Sequence, residues 1–280
     1  SSLNWTLCHL MSPQIAFLGA GNMASAMING LITEGFSPAG LKASDPSEAA
    51  LSQLRNLGLT AVSTSPEGIF EGADLVVAAV KPQIIPAALS AISGQLGPDT
   101  ALLSIAAGLP TASLQAYAGP DVPIIRCMPN TPAMIGLGAS ALFAAETVNE
   151  VHRALAEQVT SAAGTTVWVE DEALLDVVTA VSGSGPAYFF ALIEAIAETG
   201  TELGLDADVA MALTLQTALG AAALALKSDE GVAKLRENVT SPGGTTEEAL
   251  RSLQAHDFNN VVKEAVKQCA ARATALGEEF

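Results

Sequence analysis

The apolar run Ile15–Leu18 leads directly into Gly19-Ala20-Gly21-Asn22-Met23-Ala24, which opens a helical pattern over Met23–Glu34. Few chain segments tolerate such a passage from strand to helix. Gly19 supplies the tight turn, Gly21 leaves room for a ligand to approach the backbone, and the small Ala24 lets helix and strand pack closely. This is the G-x-G-x-x-A form of a dinucleotide-binding turn, in which amides at the helix start face a diphosphate. It commits the N-terminal part of the chain to an α/β sheet with the turn at a strand's carboxyl end. A tight turn with no ligand is the competing reading of these six residues.

The rest of the N-terminal half has the same grammar. Short apolar runs at Leu41–Ser44, Leu59–Val62, Leu75–Val80, Ala101–Ile105, Ile124–Cys127 and Ser140–Phe143 read as strands, and Glu48–Leu57 and Ile84–Ile92 read as helices between them. Nearly continuous apolar strands alternating with helices imply a doubly wound, mostly parallel sheet covered on both faces. From Ala173 onward the strand signal stops. Ala-rich helical stretches take over, punctuated at Gly183–Pro186, Gly204, Gly231 and Ser241–Gly244. The expected organisation is a dinucleotide-binding domain over residues 11–171 and an all-helical domain over residues 172–280. The leader SSLNWTLCHL before Met11 reads as a non-native remnant.

Composition narrows the function. A chain of 280 residues fits two domains, and a formal net charge of −17 repels phosphate backbones and anionic membrane surfaces, which argues against nucleic acid and membrane as partners. Cys8, Cys127 and Cys269 have no metal-ligand spacing and suit a reducing cytoplasm, and no metal site is expected. Val209–Leu226 is apolar but broken by Thr214, Gln216, Thr217 and Gly220. It reads as a buried helix at a subunit interface rather than a membrane span.

Further candidates lie where parallel strands end. Ser44 and Asp45 fall about 20 residues past the glycine turn, where an acid would bind the ribose hydroxyls of NADH; alternatively Asp45 caps the helix that follows Pro46. Ala79-Val80-Lys81-Pro82 and Ala106-Ala107-Gly108 close two more strands. In Ser241-Pro242-Gly243-Gly244-Thr245-Thr246, glycines permit an unusual turn and a helix start offers amides to a carboxylate, although Thr245-x-x-Glu248 also reads as a capping box. Only three histidines exist. His9 lies in the leader, while His152 and His256 read as surface or capping residues, so no obvious His serves for proton transfer.

Taken together, GAGNMA (Gly19–Ala24), AVKP (Ala79–Pro82), AAG (Ala106–Gly108), RCMPNTP (Arg126–Pro132), VSGSGPAY (Val181–Tyr188) and SPGGTT (Ser241–Thr246) resemble the pyrroline-5-carboxylate reductases. The resemblance implies a Rossmann domain joined to a helical domain that forms homodimers, with rings of dimers in some members. It implies reduction of 1-pyrroline-5-carboxylate to L-proline with NADPH or NADH. By motif position, cofactor contacts fall to Leu18, Gly19, Ala20, Gly21, Asn22, Met23, Ser44, Asp45, Ala79, Val80, Lys81, Pro82, Ala106, Ala107, Gly108 and Asn238. Substrate contacts fall to Glu172, Ser241, Gly243, Gly244, Thr245 and Thr246, with Thr246 orienting the ring nitrogen as the catalytic residue. Two rivals are a β-hydroxyacid dehydrogenase and a non-catalytic NAD(H) sensor. The first needs a lysine early in the helical domain, where this chain has none before Lys227.

Overall fold

A computed structural model describes residues 13–279; the leader before Met11 lies outside these residues. Eight strands form one sheet in the order β3-β2-β1-β4-β5-β6-β7-β8. They are β1 Ile15–Leu18, β2 Leu41–Ser44, β3 Ala61–Ser63, β4 Leu75–Ala78, β5 Ala101–Ser104, β6 Ile124–Met128, β7 Gly138–Ala144 and β8 Gly164–Trp168. Every pairing is parallel except β6 with β7. The connection from Met128 to Gly138 is too short for a crossover helix, so the chain reverses there.

Helices α1 Asn22–Thr33, α2 Glu48–Asn56, α3 Ile85–Ile92, α4 Thr111–Ala118 and α5 Glu150–Ser161 cover the sheet. Alternation along each strand divides the core between the two faces. Ile15 and Phe17 of β1 pack with Met27, Leu31, Leu54 and Val159, whereas Ala16 and Leu18 pack with Ile85, Leu89 and Leu114. Phe17 is fully buried, and such a side chain stabilises the fold by about 1.5–3 kcal/mol relative to exposure.

The remaining elements are α6 Leu174–Val178, a π-helical turn at Thr179–Gly183, α7 Gly185–Glu202, α8 Ala207–Lys227, α9 Val232–Asn238, α10 Thr245–Ala255 and α11 Phe258–Gly277. One compact unit runs through Ser184 and takes in the chain from Cys269 onward; the other is Gly185–Gln268. Within the second unit α7 packs on α8, where Gly200 lets the backbone approach Ala210. The reading of Val209–Leu226 as buried is corrected within this chain. Only Ala210 and Thr214 of α8 are buried, while Met211, Leu213, Leu215, Leu219 and Leu224 stand open. Two helical stretches, Leu174–Glu202 and Ala207–Lys227, are long and apolar enough to cross a membrane by length and composition.

Candidate active site

Four strand ends converge at the carboxyl edge of the sheet. The Gly19 amide donates to the Ser44 carbonyl at 2.8 Å, and the Ala79 amide donates to the Leu18 carbonyl at 2.8 Å. The expected cofactor residues Leu18 to Met23, Ser44, Asp45, Ala79 to Pro82 and Ala106 to Gly108 therefore lie at the ends of β1, β2, β4 and β5. Asn238 lies in the other unit, where its amide nitrogen donates to Glu230 at 2.7 Å.

The two glycines of the turn do different work. Gly19 has φ +102°, and a β-carbon there would lie 2.7 Å from the Ala79 carbonyl oxygen. Gly21 is the N-cap of α1, has extended backbone and no side-chain cap, and nothing lies within 4 Å of where its β-carbon would be. The amides at the start of α1 thus face an open cradle that a side chain at 21 would fill. A dinucleotide's diphosphate fits such a cradle.

Asp45 does not cap α2. Ser47 does so, accepting from the Ala50 amide at 3.3 Å. Asp45 Oδ1 instead accepts from Ser47 N at 2.8 Å and Oδ2 from Ala20 N at 2.8 Å, which ties the end of β2 to the glycine turn. Lys81 is exposed beside Pro82, which starts a short 3₁₀ turn.

Glu172 lies in the same unit and is already well occupied. Its Oε1 accepts from the Thr111 amide at 2.6 Å and from Arg126 Nη1 at 2.7 Å, and its Oε2 accepts a short bond from Thr111 Oγ1. Burial is the largest influence on this carboxyl and acts to raise its pKa. The two Thr111 bonds and the Arg126 guanidinium together outweigh it and hold the group below the ordinary carboxylate value.

Sequence reasoning took RCMPNTP as a signature and missed what its residues do. Arg126 is nearly buried and pairs with Glu172. The Met128 side chain packs on Gly183 of the π turn, its Cε 2.4 Å from where a β-carbon would stand. Asn130 accepts from Ala139 N at 2.8 Å and donates to the Ser182 carbonyl at 3.1 Å. Neighbouring Cys127 is buried, which pushes its thiol up to about 12 despite an opposing hydrogen bond with Ser140. His152 is also corrected: it is buried on the sheet side of amphipathic α5, not at the surface, and among the described residues its Nδ1 has no partner. His256 ends α10 with Nδ1 2.8 Å from the Ser252 carbonyl.

In the second unit, Ser241, Gly243, Gly244, Thr245 and Thr246 form one turn at the start of α10. Gly243 has φ +71°, and the N-cap is Gly244. The expected capping box Thr245-x-x-Glu248 is absent because the helix starts one residue earlier than that pattern requires, with Gly244 rather than Thr245 at the N-cap. Glu247 reaches back to the Gly243 amide at 2.6 Å, while Glu248 pairs with Arg251. Among the described residues no group of three His, Cys, Asp or Glu comes together as a metal site.

Comparison with known proteins agrees with this geometry. The family model described as pyrroline-5-carboxylate reductase dimerisation matches residues 172–276, and that described as NADP oxidoreductase, coenzyme F420-dependent matches residues 14–108. The pyrroline-5-carboxylate reductase of Pseudomonas aeruginosa is 45% identical over 97% of this chain and 99% of its own. The structure of a pyrroline-5-carboxylate reductase from Coxiella burnetii superposes with TM-score 0.91 at 36% identity, covering 95% of this chain and 99% of that one. The Plasmodium falciparum enzyme, crystallised with NADP bound, gives TM-score 0.83 at 31% identity over 95% of this chain and 98% of its own. A dinucleotide cradle on the sheet, a glycine-rich turn on a helix start and full-length kinship therefore agree, and the chain belongs to the pyrroline-5-carboxylate reductase family.

Proposed function

We propose that this chain reduces 1-pyrroline-5-carboxylate to L-proline with NADPH or NADH in the cytoplasm, as the last step of proline biosynthesis. The observation that carries the reading is the open cradle at Gly21, set among four strand ends in a chain that matches its relatives over nearly their full length. When bound, the cofactor supplies the hydride that the imine carbon accepts. The chain's own residues have three tasks.

The first is to hold the cofactor. Amides at the start of α1 receive the diphosphate, and the Asp45 carboxylate, fixed by Ala20 and Ser47, favours an unphosphorylated ribose by charge. The second is to hold the substrate carboxylate. The amides of Thr245 and Thr246 open α10, where a helix start offers donors to a carboxylate, and the Gly243 turn frames them. The third is to orient the ring nitrogen, which Thr246 does through its hydroxyl. The imine takes its proton from water, so no strong side-chain acid is required. The reaction consumes one reduced cofactor and two protons for each zwitterionic proline formed, one proton taken by the ring nitrogen to make the iminium and one by the amine after hydride transfer.

The exposed apolar faces of α7 and α8 suit a second copy of the chain, making the working form a homodimer that further assembles into a ring. Loss of reduced-cofactor absorbance on adding pyrroline-5-carboxylate tests the function. Turnover only with 3-hydroxy acids, or cofactor binding with no turnover of either substrate, would refute it.

A further inference from the structure

The turn Ala106–Gly108 closes β5 and leads through Leu109 and Pro110 into α4. That helix has Pro110 at its N-cap, which offers no side-chain hydrogen bond. A helix start without a local cap leaves its first amides unsatisfied. Here the cap comes from 61 residues away: Glu172 accepts from both the amide and the hydroxyl of Thr111. Arg126 of β6, 8% exposed, holds the same carboxylate from the other side. A negative group at the positive end of α4 is also favoured by the helix dipole. The other flank of the turn is closed as well, because the end of α11 lies against it: a β-carbon on Gly277 would stand 3.2 Å from the Gly108 carbonyl oxygen.

In a sheet of this strand order the adenosine half of a dinucleotide lies over β2, beside Asp45, and the other half over β4 and β5. Resting on the function proposed above, we propose that Glu172 is a positioning residue for the cofactor. Through Thr111 it fixes the Ala106–Gly108 turn against the nicotinamide half of the cofactor. Arg126 serves it by orienting the carboxylate.

The test compares two probes, NADH and ADP-ribose, titrated calorimetrically into the full-length protein. ADP-ribose carries the adenosine half but no nicotinamide. Thr111→Val removes one bond to Glu172 and leaves the Arg126 pair in place. It is expected to weaken NADH about five-fold while ADP-ribose stays within about two-fold, and Thr111→Ser is expected to restore NADH binding. Glu172→Gln is expected to behave like Thr111→Val, with the double variant no worse than the weaker single one. Equal weakening of both probes, no change in either, or a rise confined to the imine KM of Glu172→Gln would overturn the assignment. Wild-type protein that binds NADH but does not reduce the imine would refute the proposed function alone, because both titrations remain readable without turnover.

Discussion

Gly19 and Gly21 belong to one six-residue motif, yet substitutions at the two positions should fail in opposite ways. Gly19→Ala places a β-carbon at φ +102°, 2.7 Å from the Ala79 carbonyl oxygen, 2.9 Å from its carbon and 2.8 Å from Val80 Cγ1. The unfavourable φ costs about 1–2 kcal/mol. The overlap adds about 1–3 kcal/mol, because two of the three atoms are backbone on the neighbouring strand and cannot swing aside. A loss of roughly 2–5 kcal/mol lowers Tm by roughly 5–15 °C in a protein of this size. Gly21→Val meets nothing within 4 Å, and its extended backbone suits a β-branched residue. Its melting temperature is expected to stay within about 2 °C of wild type, since surface changes away from special features cost little. Its side chain, however, fills the cradle, and NADH affinity is expected to fall at least about 100-fold. Thermal melts and NADH titrations on the two variants decide the matter. Equal loss of Tm in both, or wild-type NADH affinity in Gly21→Val, would refute the division of labour.

Other expectations follow from the same geometry. Asp45→Ser removes a fixed charge next to the ribose position, so the ratio of kcat/KM with NADPH to that with NADH is expected to rise about ten-fold; an unchanged ratio would clear Asp45 of any part in cofactor choice. Thr246→Ala is expected to cut turnover more than about ten-fold with cofactor affinity intact, and full activity would remove Thr246 from the chemistry. The Glu172 carboxyl lies below its ordinary value of 4.5 in the folded chain, so its contribution is complete above that pH and fades as pH falls through the folded value. The Tm gap between wild type and Glu172→Gln is therefore expected to narrow on acidification below about pH 4.5 and to be flat above it. A gap that widened in acid would reverse the sign.

The sequence was most legible where local rules act alone. The strand-to-helix passage at Leu18–Asn22 is specified by apolar run, glycines and periodicity within ten residues or so, and its boundaries in the structure differ by one residue from those read off the chain. Edge strand β8 escaped because Gly164–Trp168 alternates between half-exposed and exposed positions and resembles a polar connection. The reversal at β7 escaped because apolar periodicity carries no strand direction; only the short span after Met128 encodes it. For α8 the composition was read correctly as apolar, but burial depends on what a second chain covers, and a single sequence cannot supply that.

The candidate site divides along the same line. Gly19, Gly21 and Gly243 can be read one residue at a time, because a positive φ or an open approach is a property of the position itself. Glu172 cannot, since its partners Thr111 and Arg126 are 61 and 46 residues away. A lone acid before a helix gives no sign in the sequence of the buried guanidinium and the uncapped helix start that it bonds. The same holds for RCMPNTP. Arg126, Met128 and Asn130 lie two apart along an extended segment, and each is tied to the stretch between Glu172 and Gly183 by a different interaction: an ion pair, a close van der Waals approach, and a side-chain amide bridge. Three unlike contacts at alternate positions fix both the distance and the register of that stretch against β6. This fits the π turn at Thr179–Gly183, an otherwise costly departure from α-helical bonding that persists where surrounding contacts dictate it.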